Sequence, residues 1–507
     1  MDSKKVLTAA LAASLALAAA AAAPRAAAVT LAMKGETVVL PNGMTWVLMP
    51  RTGAPTFAGY VAFRVGGVNS VPGNSGLAHM FEHMAFKGTE HLGTSDWEKE
   101  KPVLEKLQAA GDRLTLFVST GKGTAEERAA LEAEVKALAE EEHRYIVKDE
   151  IPAIYTRAGG RNLNASTAED VTQYFVELPS NALELWMMVE SQRVREPVMR
   201  EFYSERDVIF QERLMRTDND PMGKLYETYL ATAFTAHPYR IPAVGYASDI
   251  KALTAAQARA FFHAYYSPSN AVGVLVGNFD AGRARALLGR YFGTIPRRGD
   301  PLPIVTKEPV QERERRAEVL FAANPGLFVG FHKPAWPSKD DTVMDVVSTL
   351  LTDGDTSRLY RRMVEKEGLA MMVQSYNGDP GALYDNLVTF VVIPNSGVPY
   401  AKVEACLYGE LDRLASEPIP EEELQKAKTR ILAGYLRRLE SDLSTAALVG
   451  ATTLVTGDWK TIFSYVADVQ AVTAQDVRRV AENYLKPGNR TVVTLVAPAE
   501  PRKEKQP

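Results

Sequence analysis

Cysteine is almost absent from this chain of 507 residues, in which Cys406 is the single example. One cysteine excludes an intrachain disulfide and any metal site made of cysteine thiolates. Long apolar runs are also missing after the first 28 residues, so the sequence predicts no membrane span in the mature chain. Apolar residues nevertheless make up 46% of the chain, which is ample for buried cores, and the length calls for two or more domains.

The first 28 residues have the pattern of a secretory signal peptide. Lys4 and Lys5 precede an apolar run at 6–23, and small residues suited to cleavage follow it. An uncleaved anchor is the alternative, because a run of Leu and Ala could just span a bilayer. Removing residues 1–28 takes away three basic side chains and one acidic one, which changes the formal net charge from −4 to −6. This balance favours neither nucleic acid nor an anionic membrane as a partner, and we expect a periplasmic or secreted protein.

The strongest chemical signal is the stretch 76–88, Gly-Leu-Ala-His-Met-Phe-Glu-His-Met-Ala-Phe-Lys-Gly. It predicts a helix on which His79 and His83, four residues apart, are neighbours on one face. Two imidazoles so placed can bind one metal ion, and the carboxylate of Glu82 can lie beside it. The order His-x-x-Glu-His is the inverzincin signature. A histidine on an apolar helix is usually structural, but the chain has only seven histidines, so a chance match to all three positions is rare.

A catalytic zinc site needs a third protein ligand and an open position for water. Glu205 and Glu212 lie seven residues apart on a helix predicted to begin at Pro197 and to end near Arg216. Seven residues are two turns, so both carboxylates lie on one face. Either carboxylate could reach the metal while the other bonds a ligand histidine, and the spacing does not choose between them. A solvated charged face is the plainer alternative for such a helix.

An internal repeat indicates two related halves. Residues 249–254 and 468–473 read Asp-Ile-Lys-Ala-Leu-Thr and Asp-Val-Gln-Ala-Val-Thr, and a Tyr, a Pro and an Asn follow both at the same spacing. Each copy leads into a predicted strand. In the second copy the positions of the two histidines and the glutamate are taken by Asp345, Ser348 and Thr349. The sequence therefore predicts a duplicated chain in which only the first half has a metal site.

We expect an α+β fold of two homologous α/β halves, each a mixed or antiparallel sheet with helices packed on it. The halves span residues 34–296 and 317–498 and are joined by a proline-rich and charged linker at 297–316. A charged, alanine-rich stretch at about 97–160 predicts a helical insertion in the first half. Residues 499–507 are expected to form a tail after the second half.

These motifs resemble those of the pitrilysin/insulinase family of zinc peptidases, and within it the bacterial two-half proteins similar to mitochondrial processing peptidase. The resemblance is carried by His79-Met-Phe-Glu82-His83 together with the later pair Glu205 and Glu212. It covers residues 34–498. Further matching segments are 164–167, 237–239 and 354–360.

The resemblance implies a clamshell-type zinc metalloendopeptidase. Its zinc ligands would be His79, His83 and Glu212, and its catalytic base would be Glu82. Glu205 would be the carboxylate that holds a ligand histidine in its metal-binding tautomer. The resemblance also implies that Asn164 and Ala165 lie on an edge strand, which takes the backbone of a peptide substrate by strand addition.

One departure from the family pattern bears on the partner. Family members with a complete site carry an Arg and, seven residues later, a Tyr in the second half, where this chain has Val364 and Met371. Neither side chain can donate a hydrogen bond to the substrate or the oxyanion. The resemblance then implies a heterodimer whose homologous partner supplies the pair. The alternatives are another Arg or Tyr of this chain, a non-catalytic scaffold subunit, or a peptide-binding module.

Overall fold

The structure, a computed structural model, describes residues 33–498. The predicted signal peptide at 1–28 and the tail at 499–507 lie outside these residues. The strands are β1 (Glu36–Val39), β2 (Thr45–Pro50), β3 (Thr56–Phe63), β4 (Arg161–Thr167), β5 (Thr172–Pro179), β6 (Ala271–Gly277), β7 (Arg315–Leu320), β8 (Gly326–Lys333), β9 (Ala370–Asp379), β10 (Asn386–Pro394) and β11 (Arg490–Val496).

The helices of the part before β7 are α1 (Leu77–Met84), α2 (Trp97–Thr120), α3 (Ala125–Glu142), α4 (Glu150–Arg157), α5 (Leu183–Arg195), α6 (Phe202–Arg213), α7 (Pro221–Ala233), α8 (Ala247–Ala252), α9 (Ala255–Tyr265) and α10 (Ala281–Tyr291). Those that follow β7 are α11 (Lys339–Thr352), α12 (Tyr400–Ser416), α13 (Glu421–Arg437), α14 (Asp442–Thr456), α15 (Thr461–Ala471) and α16 (Ala474–Tyr484). No helix among residues 33–498 is both long enough and apolar enough to cross a membrane.

Two mixed sheets organise the chain. The first has the strand order β1-β2-β6-β3-β5-β4, with β2 and β6 parallel and the other pairs antiparallel. The second has the order β7-β11-β8-β10-β9, with β7 and β11 parallel and the rest antiparallel. Apart from β1, the two orders match strand for strand. The predicted α+β class with mixed sheets is confirmed.

The two copies of the repeat make the same contacts. Thr254 and Thr473 each cap the following helix, α9 or α16, with a capping box. The side-chain amide of Asn270 donates to the carbonyl of Tyr265 at the end of α9 (2.9 Å) and to a carbonyl just after β3 (2.9 Å). The amide of Asn489 makes the equivalent bonds after α16, at 2.9 and 2.8 Å. The repeated asparagine therefore ties a helix end to a sheet at both places.

Each sheet is covered in part by a helix from the other side of the linker. Helix α14 packs on β3 and β6, where Gly450 lies so close to the ring of Tyr60 that an added Cβ would come within 2.2 Å of it. Helix α7 packs on β7, β8 and β11, and the hydroxyl of Tyr229 lies against Gly330. Since each helix buries apolar surface of the other sheet, we expect the two parts to fold together.

Helix α6 begins later than the sequence predicts. The chain enters it through Glu201, which has a φ of +58°, so the helix begins at Phe202 and not at Pro197. The preceding Arg200 is fully buried, donates to the carbonyls of Lys87 and Leu92, and forms a two-bond ion pair with Glu100. These bonds fix the segment before α6 in a non-helical path, which local propensity does not reveal.

Candidate metal centre

Helix α1 is short, and apolar side chains anchor it in the core. Leu77, Met80, Phe81 and Met84 are buried, and the ring of Phe81 stacks on that of Phe262 at 5.6 Å between centroids. The helix starts after Gly76, whose φ of +92° favours glycine. With these residues turned inwards, the two histidines share another face, and their ring centroids are 4.9 Å apart.

Glu212 meets both histidines. Its Oε2 lies 3.6 Å from Nε2 of His79 and 3.5 Å from Nε2 of His83. One ligand atom from each of the three residues lies within 4.8 Å of the others, and no other such group of three occurs among residues 33–498. Two imidazole nitrogens and a carboxylate are the donor set of a catalytic zinc site of the His₂Glu type. The tertiary structure thus brings together the three residues that the family resemblance implies.

Glu205 contacts the other ring nitrogen of His83. Its Oε2 lies 3.2 Å from Nδ1 of His83, while its Oε1 pairs with Nζ of Lys87 at 2.5 Å. An N–H on Nδ1 that donates to Glu205 leaves the lone pair of Nε2 free to bind a metal. The spacing of the two glutamates does not distinguish them, whereas in the structure Glu212 faces both Nε2 atoms and Glu205 faces Nδ1 of His83.

His79 has no equivalent support. Its Nδ1 is buried and has no hydrogen-bond partner among the residues that the structure describes. Burial, with the neighbouring His83, lowers the pKa of His79 to about 4, so its ring is neutral at pH 7. Burial opposes protonation of His83 too, but its contacts with Glu205 and Glu212 raise the pKa to about 9. His79 is thus a neutral imidazole, and His83 carries a proton that its two carboxylate contacts stabilise. A divalent cation can occupy the site by displacing that proton.

Glu82 lies on α1 between the two histidines and is partly buried. Burial raises the pKa of its carboxyl group, while a hydrogen bond from the hydroxyl of Thr167 opposes the rise. Thr167 is the last residue of β4, so the carboxylate of Glu82 faces the end of that strand. It is therefore placed between the histidines and the edge of the first sheet.

Asn164 and Ala165 lie in β4, at the edge of the first sheet. Asn164 is exposed, Ala165 is buried, and the side-chain oxygen of Asn164 accepts from the N–H of Ala165 at 2.9 Å. Among residues 33–498, strand β4 pairs only with β5, and it packs against α1. Its other edge is available to a further strand close to the histidines.

The corresponding place in the second half is occupied by hydrogen bonds between protein groups. Asp345 on α11 accepts from the amide of Asn377 and the hydroxyl of Tyr465, both at 2.8 Å. Ser348 and Thr349 lie on the same helix, and none of the three takes part in a metal-ligand cluster of the described residues. The carboxylate of Asp345 is therefore engaged by two donors of the protein itself.

Val364 and Met371 have no hydrogen-bond donor in their side chains. Val364 packs against the second core, and Met371 on β9 has 66% of its surface exposed. The nearby Arg362 pairs with Glu410 at 3.0 Å and with Glu367 at 2.8 Å. Its guanidinium is therefore engaged within the second half.

Two cations of the site were missed by the sequence analysis. Lys87 joins Glu205 to Glu201, and Arg216 donates to Oε1 of Glu212 at 2.8 Å. Arg216 belongs to a π-helical segment, Leu214–Asp218, that continues α6. Each cation follows a site residue by four positions, as Lys87 follows His83 and Arg216 follows Glu212. That spacing was the available signal.

Three comparisons place this chain among known proteins. A family profile described as "Peptidase M16 inactive domain" matches residues 252–431, a stretch that contains none of the site residues of α1, β4 and α6. The "Zinc protease PqqE" of Helicobacter pylori is 30% identical over 475 residues, covering 91% of this chain and 93% of the relative.

Solved structures are also similar to this chain over most of its length. A protease from Helicobacter pylori superposes with a TM-score of 0.77 at 27% identity, covering 92% of this chain and 100% of that one. A peptidase M16 inactive domain from Pseudomonas fluorescens superposes with a TM-score of 0.73 at 16% identity, over 93% of this chain and 99% of that one, which shows the shared fold.

Proposed function

Because this chain belongs to the pitrilysin-like M16 family of peptidases, we propose that it is a zinc-dependent endopeptidase that hydrolyses peptides. The observation that carries the proposal is the meeting of His79, His83 and Glu212 at ligand distances across two separate helices. Relatives that are named zinc proteases support the same activity.

The donor set suits zinc, and the two Nε2 atoms with the carboxylate of Glu212 would hold it. When bound there, zinc polarises a carbonyl group and lowers the pKa of water towards neutrality. Glu205 orients the ring of His83 through Nδ1, and Lys87 fixes Glu205 in turn. These contacts position the ligand ring before any substrate arrives.

Glu82 is the proposed general base. From its place between the histidines, its carboxylate accepts a proton from the attacking water and passes it to the leaving amine. Proton transfer of this kind contributes about 10²–10⁴-fold to the rate. The hydroxyl of Thr167 holds the carboxylate beside the end of β4, where a bound peptide would pass.

The substrate is a peptide in an extended conformation. The edge of β4 that is unpaired in the described part of the chain, at Asn164 and Ala165, offers backbone N–H and C=O groups to a further strand, which is how proteins bind peptides by strand addition. Recognition through the backbone depends little on side chains, so we expect cleavage of many unfolded or short peptides.

The missing donors of the second half support a heterodimer. Val364 and Met371 cannot bond an oxyanion, and Arg362 is held by two glutamates. A homologous partner subunit would supply an Arg and a Tyr to the site. The signal-peptide pattern of the first residues supports a periplasmic or secreted location.

Purification of the chain from its native host tests these points together. We expect about one zinc per chain and a co-purifying homologue that lacks the His pair, with peptide cleavage restored only when both are mixed. Full activity of the chain alone would overturn the heterodimer. The alternative function, a scaffold or peptide-binding subunit, would be favoured by a chain that binds peptide but no stoichiometric zinc.

A further inference from the structure

We propose that the cavity between the α2–α3 hairpin and the start of α6 binds a small organic ammonium ion with a short apolar chain. The cavity has a volume of about 260 Å³. None of the residues assigned to the peptidase reaction lines it, so the proposal is independent of the proposed function. Its apolar walls come from both hairpin helices, from the segment before α6 and from the first residue of α6: Leu104, Leu107, Val135, Ala139, Met199 and Phe202.

One buried carboxylate faces this apolar space. Glu142, the last residue of α3, lines the cavity and is only 2% exposed. Its Oε1 has no hydrogen-bond partner among residues 33–498. The backbone N–H of Glu201 also faces the carboxylate. A buried acceptor without a partner is unfavourable, and a ligand that donates to it removes the penalty.

The charges around Glu142 favour a cation. Burial and the nearby charge of Glu100 raise the pKa of Glu142 to about 7, which a cationic ligand would reverse. Glu100 is already paired with Arg200, and the carboxylate of Glu201, which also lines the cavity, is paired with Lys87. No cation among the described residues lies within ion-pair distance of Glu142 itself.

The remaining polar groups of the lining do not supply that cation. His143 and Lys148 are exposed residues. The hydroxyl of Tyr203 is bonded to Asp112 at 2.5 Å and to the carbonyl of Gln108 at 2.9 Å. The carboxylate of Glu142 therefore keeps an unpaired oxygen atom in the lining of the cavity, within the described part of the chain.

An alkylammonium ion suits both the carboxylate of Glu142 and the apolar walls of the cavity. Its head offers three N–H donors, of which one can reach Oε1 of Glu142. Its chain can lie against the leucines, Met199 and Phe202, where a hydrated inorganic cation would have to give up water without new partners. The volume is below that of pockets for drug-sized ligands, so we expect a chain of only a few carbons.

Calorimetric titration of the full chain with hexylammonium chloride, at constant ionic strength, tests the site. We expect saturable binding of one ion per chain, and no binding of hexanoate, which has the same chain but the opposite charge. In Glu142→Gln the affinity should fall about tenfold or more, as expected for the loss of a charge-assisted hydrogen bond.

Glu141→Gln is the matched control, because Glu141 is the adjacent residue and is exposed. It should bind hexylammonium like the unchanged chain. Unfolding curves of both variants establish that they are folded. Binding that does not saturate, equal binding of hexanoate, or unchanged affinity in Glu142→Gln would each overturn the proposal.

Discussion

Nδ1 of His83 lies 3.2 Å from Oε2 of Glu205, a residue 122 positions later in the chain. This contact distinguishes Glu205 from Glu212, the other of the two closely spaced glutamates on α6. Glu205 contacts Nδ1 of His83, while Glu212 contacts Nε2 of both His79 and His83. The distinction depends on how α6 packs against α1, since the two carboxylates share one helix face.

Glu205→Gln should weaken zinc binding by about 10–100-fold, the usual effect of removing a partner that orients a ligand histidine. The amide cannot accept as strongly from Nδ1–H, and it also loses its pairing with Lys87. Zinc affinity is measured by competition with a chromogenic chelator. Asp207→Asn, an exposed position on the same helix, is the control and should leave affinity unchanged. Equal affinities in the two variants would contradict the assigned role.

Glu82→Gln should lower kcat by about 10²–10⁴-fold without loss of zinc, because general acid–base transfer is removed and the ligand set is kept. The measurement combines peptide cleavage, with the partner subunit present, and metal content of the purified protein. Glu90→Gln, an exposed position beyond α1, should behave like the unchanged protein. A variant that loses zinc along with activity would show that Glu82 is a ligand or a structural residue.

Glu308 should make the fold sensitive to acid. Although burial disfavours its charge, backbone N–H groups of residues 235–237 hold the pKa of Glu308 at about 2, below its ordinary 4.5. Because the folded-state pKa is depressed, the stabilisation is complete above pH 4.5 and is lost as the pH falls to 2.

Glu308→Gln should therefore reduce the free energy of unfolding by about 2 kcal/mol at pH 7, and by little at pH 2. Urea unfolding at several pH values measures this. Glu312→Gln, exposed in the same segment, is the control. If both variants lose the same stability at pH 7, the contact of Glu308 with the end of α7 does not stabilise the fold.

Gly450→Ala should destabilise the protein by about 1–3 kcal/mol, the usual effect of overpacking a core. The new Cβ would come within 2.2 Å of the ring of Tyr60, which is fully buried. Gly289→Ala is the matched control, since that helical glycine has open space around it and alanine should stabilise its helix by about 0.5–1 kcal/mol. Thermal unfolding compares the two. A neutral Gly450→Ala would show that α14 can move away from the first sheet.

The linker segment 297–314 makes contacts with the fold that its composition does not predict. Its prolines and charges predict a solvated connection, and the structure assigns it no helix or strand. Yet Glu308 bonds three consecutive backbone N–H groups after α7, and its side chain is 5% exposed. A single glutamate in a charged run carries no sequence signal for such a contact, because its partners are backbone groups 71–73 positions away.

The sequence by itself determined the fold class, the family, the His-x-x-Glu-His motif and the repeat, because each is recognised from residue types and their spacing along the chain, without knowledge of which segments touch. Helical spacing places His79 and His83 on one face whatever surrounds them. Through the family resemblance, the sequence also implied which residues form the site. The roles of those residues stay a prediction.

Only the tertiary structure decided which glutamate faces which atom, where α6 begins, and which helix covers which sheet. The physical reason is that these features depend on contacts between distant segments, such as Arg200 with Glu100 and the carbonyls of the 87–92 loop. Local propensity contains no information on such contacts. They are fixed when buried polar groups find partners and apolar surfaces are removed from water together.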